Sequence, residues 1–98
     1  MGDIAINERW LEDRKEQLAK LRAQVSNLSR RELERFAESL GRREKNRGKE
    51  KTYVSEVLPN RTPLSIPHHT KIYKITAKNI LDQLEQDIFE LENRLSEP

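Results

Sequence analysis

The 98 residues are 34% hydrophobic and 37% charged, which predicts a modest core under a charged surface, and a net charge of only +2 does not by itself imply a polyanionic partner. The absence of cysteine excludes disulfides, zinc–thiolate sites and a thiol nucleophile, and no apolar run approaches the roughly 20 residues of a membrane span. Residues 1–7 lack the basic and long apolar parts of a signal peptide, so we expect a soluble, cytoplasmic protein.

The first predicted element is a helix over residues 7–27, which Asn7 can cap. Its apolar residues recur in steps of seven, four and three, as they do along one face of a helix. The best break in the pattern lies at 26–29. The apolar seam of this helix consists of Leu11, Leu18, Leu21, Val25 and Leu28.

A second helix is predicted to begin after Ser29, because Ser29 and Glu32 have the spacing of a capping box. The helix runs through four apolar residues and ends at Gly41, which is a natural C-terminal cap because glycine adopts a positive φ without steric cost. The four apolar residues are Leu33, Phe36, Ala37 and Leu40.

The next part of the chain is a strongly basic run, 42–51, and short strands are predicted within it and after it. Residues 52–57 are rich in strand formers, and a turn is predicted at 58–61. Residues 63–67 are predicted to form a short strand, whose two prolines favour the edge of a sheet. A further strand is predicted at 42–46, despite its charge.

The last predicted element is a helix over residues 76–95 with Thr76 as its cap. Its apolar residues repeat in steps of three and four, a coiled-coil-like seam that we expect to pack on the first helix within the chain rather than between two chains. The element order predicts an α+β fold in which helices pack on a small antiparallel sheet. The seam consists of Leu81, Leu84, Ile88, Leu91 and Leu95.

Four features along residues 29–87 come in the order and spacing of a known family. They are Ser29-Arg30-Arg31-Glu32-Leu33, Arg47-Gly48, Ile66-Pro67-His68-His69 and Thr76-Ala77-Lys78-Asn79-Ile80-Leu81. Together they resemble the HicA family of toxins, the RNA-cleaving components of HicA–HicB toxin–antitoxin pairs, whose proline-x-histidine matches Pro67 and His69. The resemblance implies an α-β-β-β-α fold similar to double-stranded-RNA-binding domains, with three strands covered on one face by two helices. Residues 1–28 would then be a helical extension, and residues 29–98 the HicA-like domain with an extended C-terminal helix.

The sequence departs from this family at two adjacent positions of the implied site. In the family, the glycine is usually followed by a serine and then by a histidine that acts in RNA cleavage, whereas Gly48 is followed here by Lys49 and Glu50. The resemblance therefore implies either a metal-independent endoribonuclease toxin with altered catalytic residues or a descendant that binds RNA without cutting it. A toxin would be expected to have a HicB-like antitoxin that covers its basic face.

Cleavage of RNA without a metal needs a base for the 2′-hydroxyl proton, an acid for the leaving oxygen and cations for the charged phosphorane. The resemblance makes His69 the candidate acid or base, and the pKa of histidine, near neutral, suits either role. Glu50 is the candidate substitute for the missing histidine as base, and Lys49 and Lys51 are candidates to hold the phosphate. The alternative is that His68 and His69 are ordinary polar residues of a turn.

The basic run 42–51 also has two interpretations. If it is extended, its alternate residues lie on one face and form a row of phosphate contacts; otherwise it is a solvated loop. Lys71, Lys74 and Lys78 can enlarge such a basic face, and Tyr53 and Tyr73 can stack on unpaired bases, although Tyr53 also fits a sheet residue with its hydroxyl at the edge. The alternate residues are Arg43, Lys45, Arg47, Lys49 and Lys51.

Other chemistry has little support in the sequence. Two adjacent histidines without a nearby carboxylate pair do not make a convincing metal site, and no glycine-rich phosphate loop is present, so no cofactor is expected. The remaining function class is a non-catalytic protein-interaction module. Its helical seams would bind a partner or a second copy of the chain as a homodimer.

Overall fold

The computed structural model describes residues 6–47 and 50–96, without the side chains of Asn46, Arg47 and Glu50. The described elements confirm the predicted α+β fold, with helices packed on an antiparallel sheet. In chain order they are helix α1 (Glu8–Ala23), helix α2 (Arg30–Ser39), strands β1 (Arg42–Arg47), β2 (Glu50–Ser55) and β3 (Leu64–Ile66), and helix α3 (Lys74–Ser96).

The helix ends follow local signals in the sequence. The side chain of Asn7 accepts a hydrogen bond from the Trp10 amide and caps α1 as predicted, but α1 ends at Ala23 rather than at residue 27 because a 3₁₀ turn, Val25–Asn27, follows it. The capping box of Ser29 and Glu32 begins α2, as the sequence predicts. Gly41, with a φ of 91°, follows the end of α2 in the conformation that favours glycine.

The start of α3 differs from the prediction. The helix begins at Lys74, two residues before Thr76, so the prediction that Thr76 caps it is wrong. The carbonyl of Tyr73 already accepts a helical hydrogen bond from the Ala77 amide at 2.8 Å, which brings the first turn forward.

The sheet is an antiparallel meander in the order β1-β2-β3. β1 pairs with β2 from Arg42 opposite Ser55 to Arg47 opposite Glu50, and the strand predicted at 42–46 is thus confirmed. β3 lies at an edge, where its flanking prolines favour it, because an edge strand need not donate from every backbone N–H. Its short pairing with β2 leaves the chain free to turn away after Ile66.

One face of the sheet carries the core. Tyr53, Leu64 and Ile66 are buried on this face, in the same apolar cluster as Phe36 of α2 and Leu84 of α3. The other face carries side chains that are exposed or half-buried, which is the usual division of an antiparallel sheet with helices on one side. They are Arg43, Lys45, Thr52, Val54 and Ser65.

Helix α1 packs on α3 within the chain, as its seam predicts. Leu18 and Leu21 of α1 are buried in the same cluster as Ile88 and Leu91 of α3. Ion pairs flank the apolar contact: Arg22 lies 2.8 Å from both Asp82 and Glu85, and Lys15 pairs with Glu92. The order of these ion pairs shows that the two helices are antiparallel. The N-terminal end of α1 therefore lies beside the C-terminal end of α3. Within the described residues, no helix is long and apolar enough to cross a membrane.

Candidate nucleic-acid interface

The start of β2 and the end of β3 meet at one end of the sheet. Lys51 pairs with Ile66, so the backbone of Glu50 reaches the same end as Pro67 and the two histidines that follow it. The register therefore places Glu50 at the end of the sheet from which the chain continues through Pro67 to His69. The side chain of Glu50 lies outside the described residues, as does the whole of Lys49.

The segment 67–73, between β3 and α3, is held along the chain that leads into α2. The Arg30 amide donates to the Thr70 carbonyl at 3.0 Å, and the Ile72 amide donates to the Leu28 carbonyl at 3.1 Å. Because Leu28 and Ile72 are both buried, these backbone hydrogen bonds anchor the segment to the core. The side chains between the anchors are then displayed from a fixed backbone.

The two histidines on this segment differ in their contacts. Nη1 of Arg30 donates to the His68 carbonyl at 3.0 Å. The same atom lies 3.4 Å from Nδ1 of the His68 ring. His69 is exposed, and among the residues that the structure describes its ring has no hydrogen-bond partner. His68 is thus joined to α2, whereas His69 is open to a ligand.

Cationic residues are exposed or half-buried on the histidine segment and on the helix starts on either side of it. We use the name basic surface for six residues that come from the first turn of α2, the segment 67–73 and the start of α3. Arg30 is half-buried, and the other five are exposed. Lys78 lies one turn after Lys74 on α3 and extends this surface along the helix. The six residues are Arg30, Arg31, His68, His69, Lys71 and Lys74.

Tyr53 belongs to the core rather than to this surface. It is 1% exposed, and its hydroxyl donates to the Glu34 carboxylate at 2.9 Å. Burial, followed by the hydrogen bond to Glu34, raises the pKa of Tyr53. The prediction that Tyr53 stacks on a base is wrong, because its ring is covered by the helices; its alternative role as a sheet residue is the one observed.

The basic run 42–51 does not form one row of cations. The chain reverses between β1 and β2, and Lys51 lies on the helix-covered face, where its ammonium is 3.7 Å from Glu44. Arg43 and Lys45 are exposed on the opposite face, and Arg43 pairs with Glu56 at 3.4 Å. A single row is therefore wrong, and so is a solvated loop over 42–47. The side chain of Arg47 lies outside the described residues.

Two residues of this region were not singled out by the sequence as binding residues. In the sequence, Arg30 is only one residue of the predicted second helix, although its place directly after the capping Ser29 puts it in the first turn. Its contact with His68 spans 38 residues, and no local pattern predicts such a pair. Arg31 is the second, an exposed cation beside it.

The donor groups of the described residues do not include a cluster of three or more histidine, cysteine, aspartate or glutamate side chains that could hold a metal ion. Comparison of the chain with models of known protein families gave no match, and comparisons with curated proteins and with solved structures gave none either. The resemblance to the HicA family therefore stays a prediction from the sequence.

Proposed function

We propose that the protein is a HicA-like RNA-binding protein that contacts RNA through the basic surface. The observation that carries this proposal is the exposure of His69 and Lys71 on a segment whose backbone is bonded to the chain before α2. Exposed polar and cationic side chains on an anchored backbone suit phosphate groups, because only side-chain rotation, and not backbone freedom, is lost when they bind. The order α2-β1-β2-β3-α3 agrees with the fold that the resemblance implies.

The same arrangement supports a metal-independent endoribonuclease as the catalytic form of this proposal. A base would take the proton of the RNA 2′-hydroxyl, whose oxygen would then attack the adjacent phosphorus. The bond from phosphorus to the 5′-oxygen would break, with the acid protonating that oxygen and a 2′,3′-cyclic phosphate remaining. His69 and Glu50 are the pair proposed for these two proton transfers, because β2 begins at the same end of the sheet at which β3 leads into the histidine segment.

Binding is tested by fluorescence anisotropy of a labelled single-stranded RNA at several salt concentrations, with a chelator present. We expect the affinity of the wild type to fall steeply as the salt concentration rises. At a given salt concentration, Lys71→Glu should bind more weakly than the wild type, because the loss of a phosphate contact reduces the number of counterions that binding releases. Arg9→Glu is the matched control, since Arg9 is exposed near the start of α1, at the opposite end of the α1–α3 pair from Lys74. Wild-type protein that does not bind RNA would overturn the proposal.

Cleavage is tested on the same RNA by electrophoresis, with His69→Ala and Glu50→Ala beside the wild type. Loss of cleavage in either variant, with binding retained, would support the rearranged catalytic pair. Binding without cleavage by the wild type would leave the non-catalytic form. A toxin of this kind would also have a HicB-like partner, which would compete with RNA for the basic surface.

A second candidate function, a protein-interaction module, is supported by a separate observation on helices α1 and α3. A groove of about 350 Å³ lies between α1 and α3, and Phe89 on its border is 53% exposed. Because Leu18 and Leu91 of the seams are buried within the chain, this groove is the surface proposed for a partner or a second copy. Sedimentation velocity of the wild type and Phe89→Ser tests it; an assembly that forms with rising concentration and is lost in the variant would favour this function.

A further inference from the structure

We infer that Tyr73 is the base-stacking residue of the basic surface, and that the RNA it takes is therefore single-stranded. The inference rests on the proposed function, since it names the class of RNA that the basic surface would bind. It starts from the exposure of two neighbours: the Tyr73 side chain is 79% exposed, whereas Ile72 is 2% exposed. A large aromatic ring thus lies in solvent directly beside a core residue.

The backbone of Tyr73 is fixed on both sides. Before it, the Ile72 amide is bonded to the Leu28 carbonyl; after it, the Tyr73 carbonyl accepts from the Ala77 amide at 2.8 Å. An exposed ring on an anchored backbone can stack on a partner with only its side-chain rotation to lose. This separates Tyr73 from the aromatic rings of a mobile loop.

The surroundings of the ring match a nucleotide. Ser26, Lys71, Ile72, Tyr73 and Lys74 line a concavity of about 380 Å³. Lys71 and Lys74 lie on either side of the tyrosine in sequence, and both are exposed. A planar base against the ring would therefore have its phosphates within reach of two ammonium groups, the combination of stacking and charge that binds unpaired strands.

The stacking requirement selects the class of RNA. In a duplex the faces of the bases are covered by their neighbours, so an exposed tyrosine cannot reach them without unstacking. In a single strand each base offers a free face, and stacking on one aromatic side chain changes affinity roughly five- to hundredfold. The surface would thus prefer single strands, although the family resemblance implies a fold similar to domains that bind duplex RNA.

The test compares two oligomers that share a backbone but differ in bases. A short 2′-O-methyl oligouridine cannot be cleaved through its 2′-oxygen, and an abasic oligomer of equal length keeps the phosphates. We expect the wild type to bind the uridine oligomer roughly five- to hundredfold more tightly, and Tyr73→Ala to reduce that binding to the abasic level. Tyr73→Phe should retain the preference, and Ile75→Ala is the matched control, because Ile75 is also 76% exposed.

Failure of the inference can be told from failure of the proposed function. If Tyr73→Ala binds both oligomers as the wild type does, while Lys71→Glu still weakens binding, the RNA surface stands and the stacking role is overturned. If Tyr73→Ala weakens both oligomers equally, the ring acts without the base and the inference is likewise overturned. If the wild type binds neither oligomer nor RNA, both proposals fail.

Discussion

Arg42 on β1 and Asp87 on α3 form a fully buried ion pair, with Nε and Nη2 of the arginine 2.6 and 2.9 Å from the two carboxylate oxygens. Arg42 also donates to the carbonyls of Tyr53 and Thr62, and Arg61 adds a third cationic contact to Asp87 at 2.8 Å. The pair thus joins strands β1 and β2, the turn after β2 and the last helix. In the sequence, Arg42 is only the first residue of a basic run.

Removal of Asp87 should destabilise the fold strongly. Asp87→Ala would leave the buried guanidinium of Arg42 without its counter-charge, and breaking a buried pair in this way typically costs about 3–5 kcal/mol. Urea unfolding followed by circular dichroism measures the loss. The matched control is Asp82→Ala, whose carboxylate is half-exposed in its pair with Arg22 and should change stability by about 1 kcal/mol or less.

The double variant Arg42→Met/Asp87→Leu distinguishes the cost of an unpaired charge from the value of the pair. Replacing both partners removes the charge that Asp87→Ala leaves buried, so the double variant should be more stable than the single one. Equal losses in Asp82→Ala and Asp87→Ala would contradict the burial of this pair.

Tyr53 should make the protein less stable at alkaline pH. Burial raises the pKa of Tyr53, so the folded state keeps the phenol proton at a pH where the unfolded chain, with a tyrosine pKa of about 10, loses it. This contribution is complete below pH of about 10 and is lost as the pH rises above it. Tyr53→Phe should therefore show a smaller loss of stability with rising pH than the wild type.

A spectrophotometric titration checks the same point directly. The chain has two tyrosines, so Tyr73→Phe leaves Tyr53 as the sole phenol. We expect its ionisation, seen in near-ultraviolet absorbance, to coincide with unfolding seen by circular dichroism. Ionisation at a pH of about 10 in a protein that is still folded would show that the phenol is not buried.

Gly41 should resist substitution because of its backbone angle. Its φ of 91° lies where a side chain meets the backbone, so Gly41→Ala should cost about 1–2 kcal/mol. The position is also constrained by partners, since its amide donates to Glu38 and its carbonyl accepts from Glu56. Glu38→Ala, an exposed change one turn earlier, should stay within about 0.5 kcal/mol in the same urea experiment. Similar midpoints for both variants would sink this expectation.

The parts of the fold that the sequence predicts are those with local causes. The capping box at Ser29, the glycine after α2 and the prolines beside β3 each act within a few residues, and each is found as expected. The seams of α1 and α3 are likewise visible, because helical periodicity is a local property.

The parts that the sequence does not predict depend on long-range pairing. The strand register decides that Lys51 lies on the covered face beside Glu44, because a side chain's face follows from which residue it pairs with. The burial of Tyr53 follows from the same register. The contact of Arg42 with Asp87 spans 45 residues, and no pattern of spacing connects them.

Arg30 should hold the histidine segment in place without contributing much to global stability. Its guanidinium donates to the His68 carbonyl, and a hydrogen bond from a charged group contributes about 1.5–3 kcal/mol at most sites and less when exposed. Arg30→Met keeps the aliphatic stem but removes this bond. We expect the Ile72 amide, which anchors the segment to Leu28, to exchange with solvent several-fold faster by NMR hydrogen exchange.

Arg31→Met is the matched control for that experiment, since Arg31 is the next residue of the same helical turn and is exposed. Its exchange at Ile72 should equal that of the wild type, and the urea midpoints of both variants should stay close together. Faster exchange in Arg30→Met alone would mean that the arginine restrains the backbone from which His69 is displayed. Unchanged exchange would assign that restraint to the backbone hydrogen bonds of Thr70 and Ile72 by themselves.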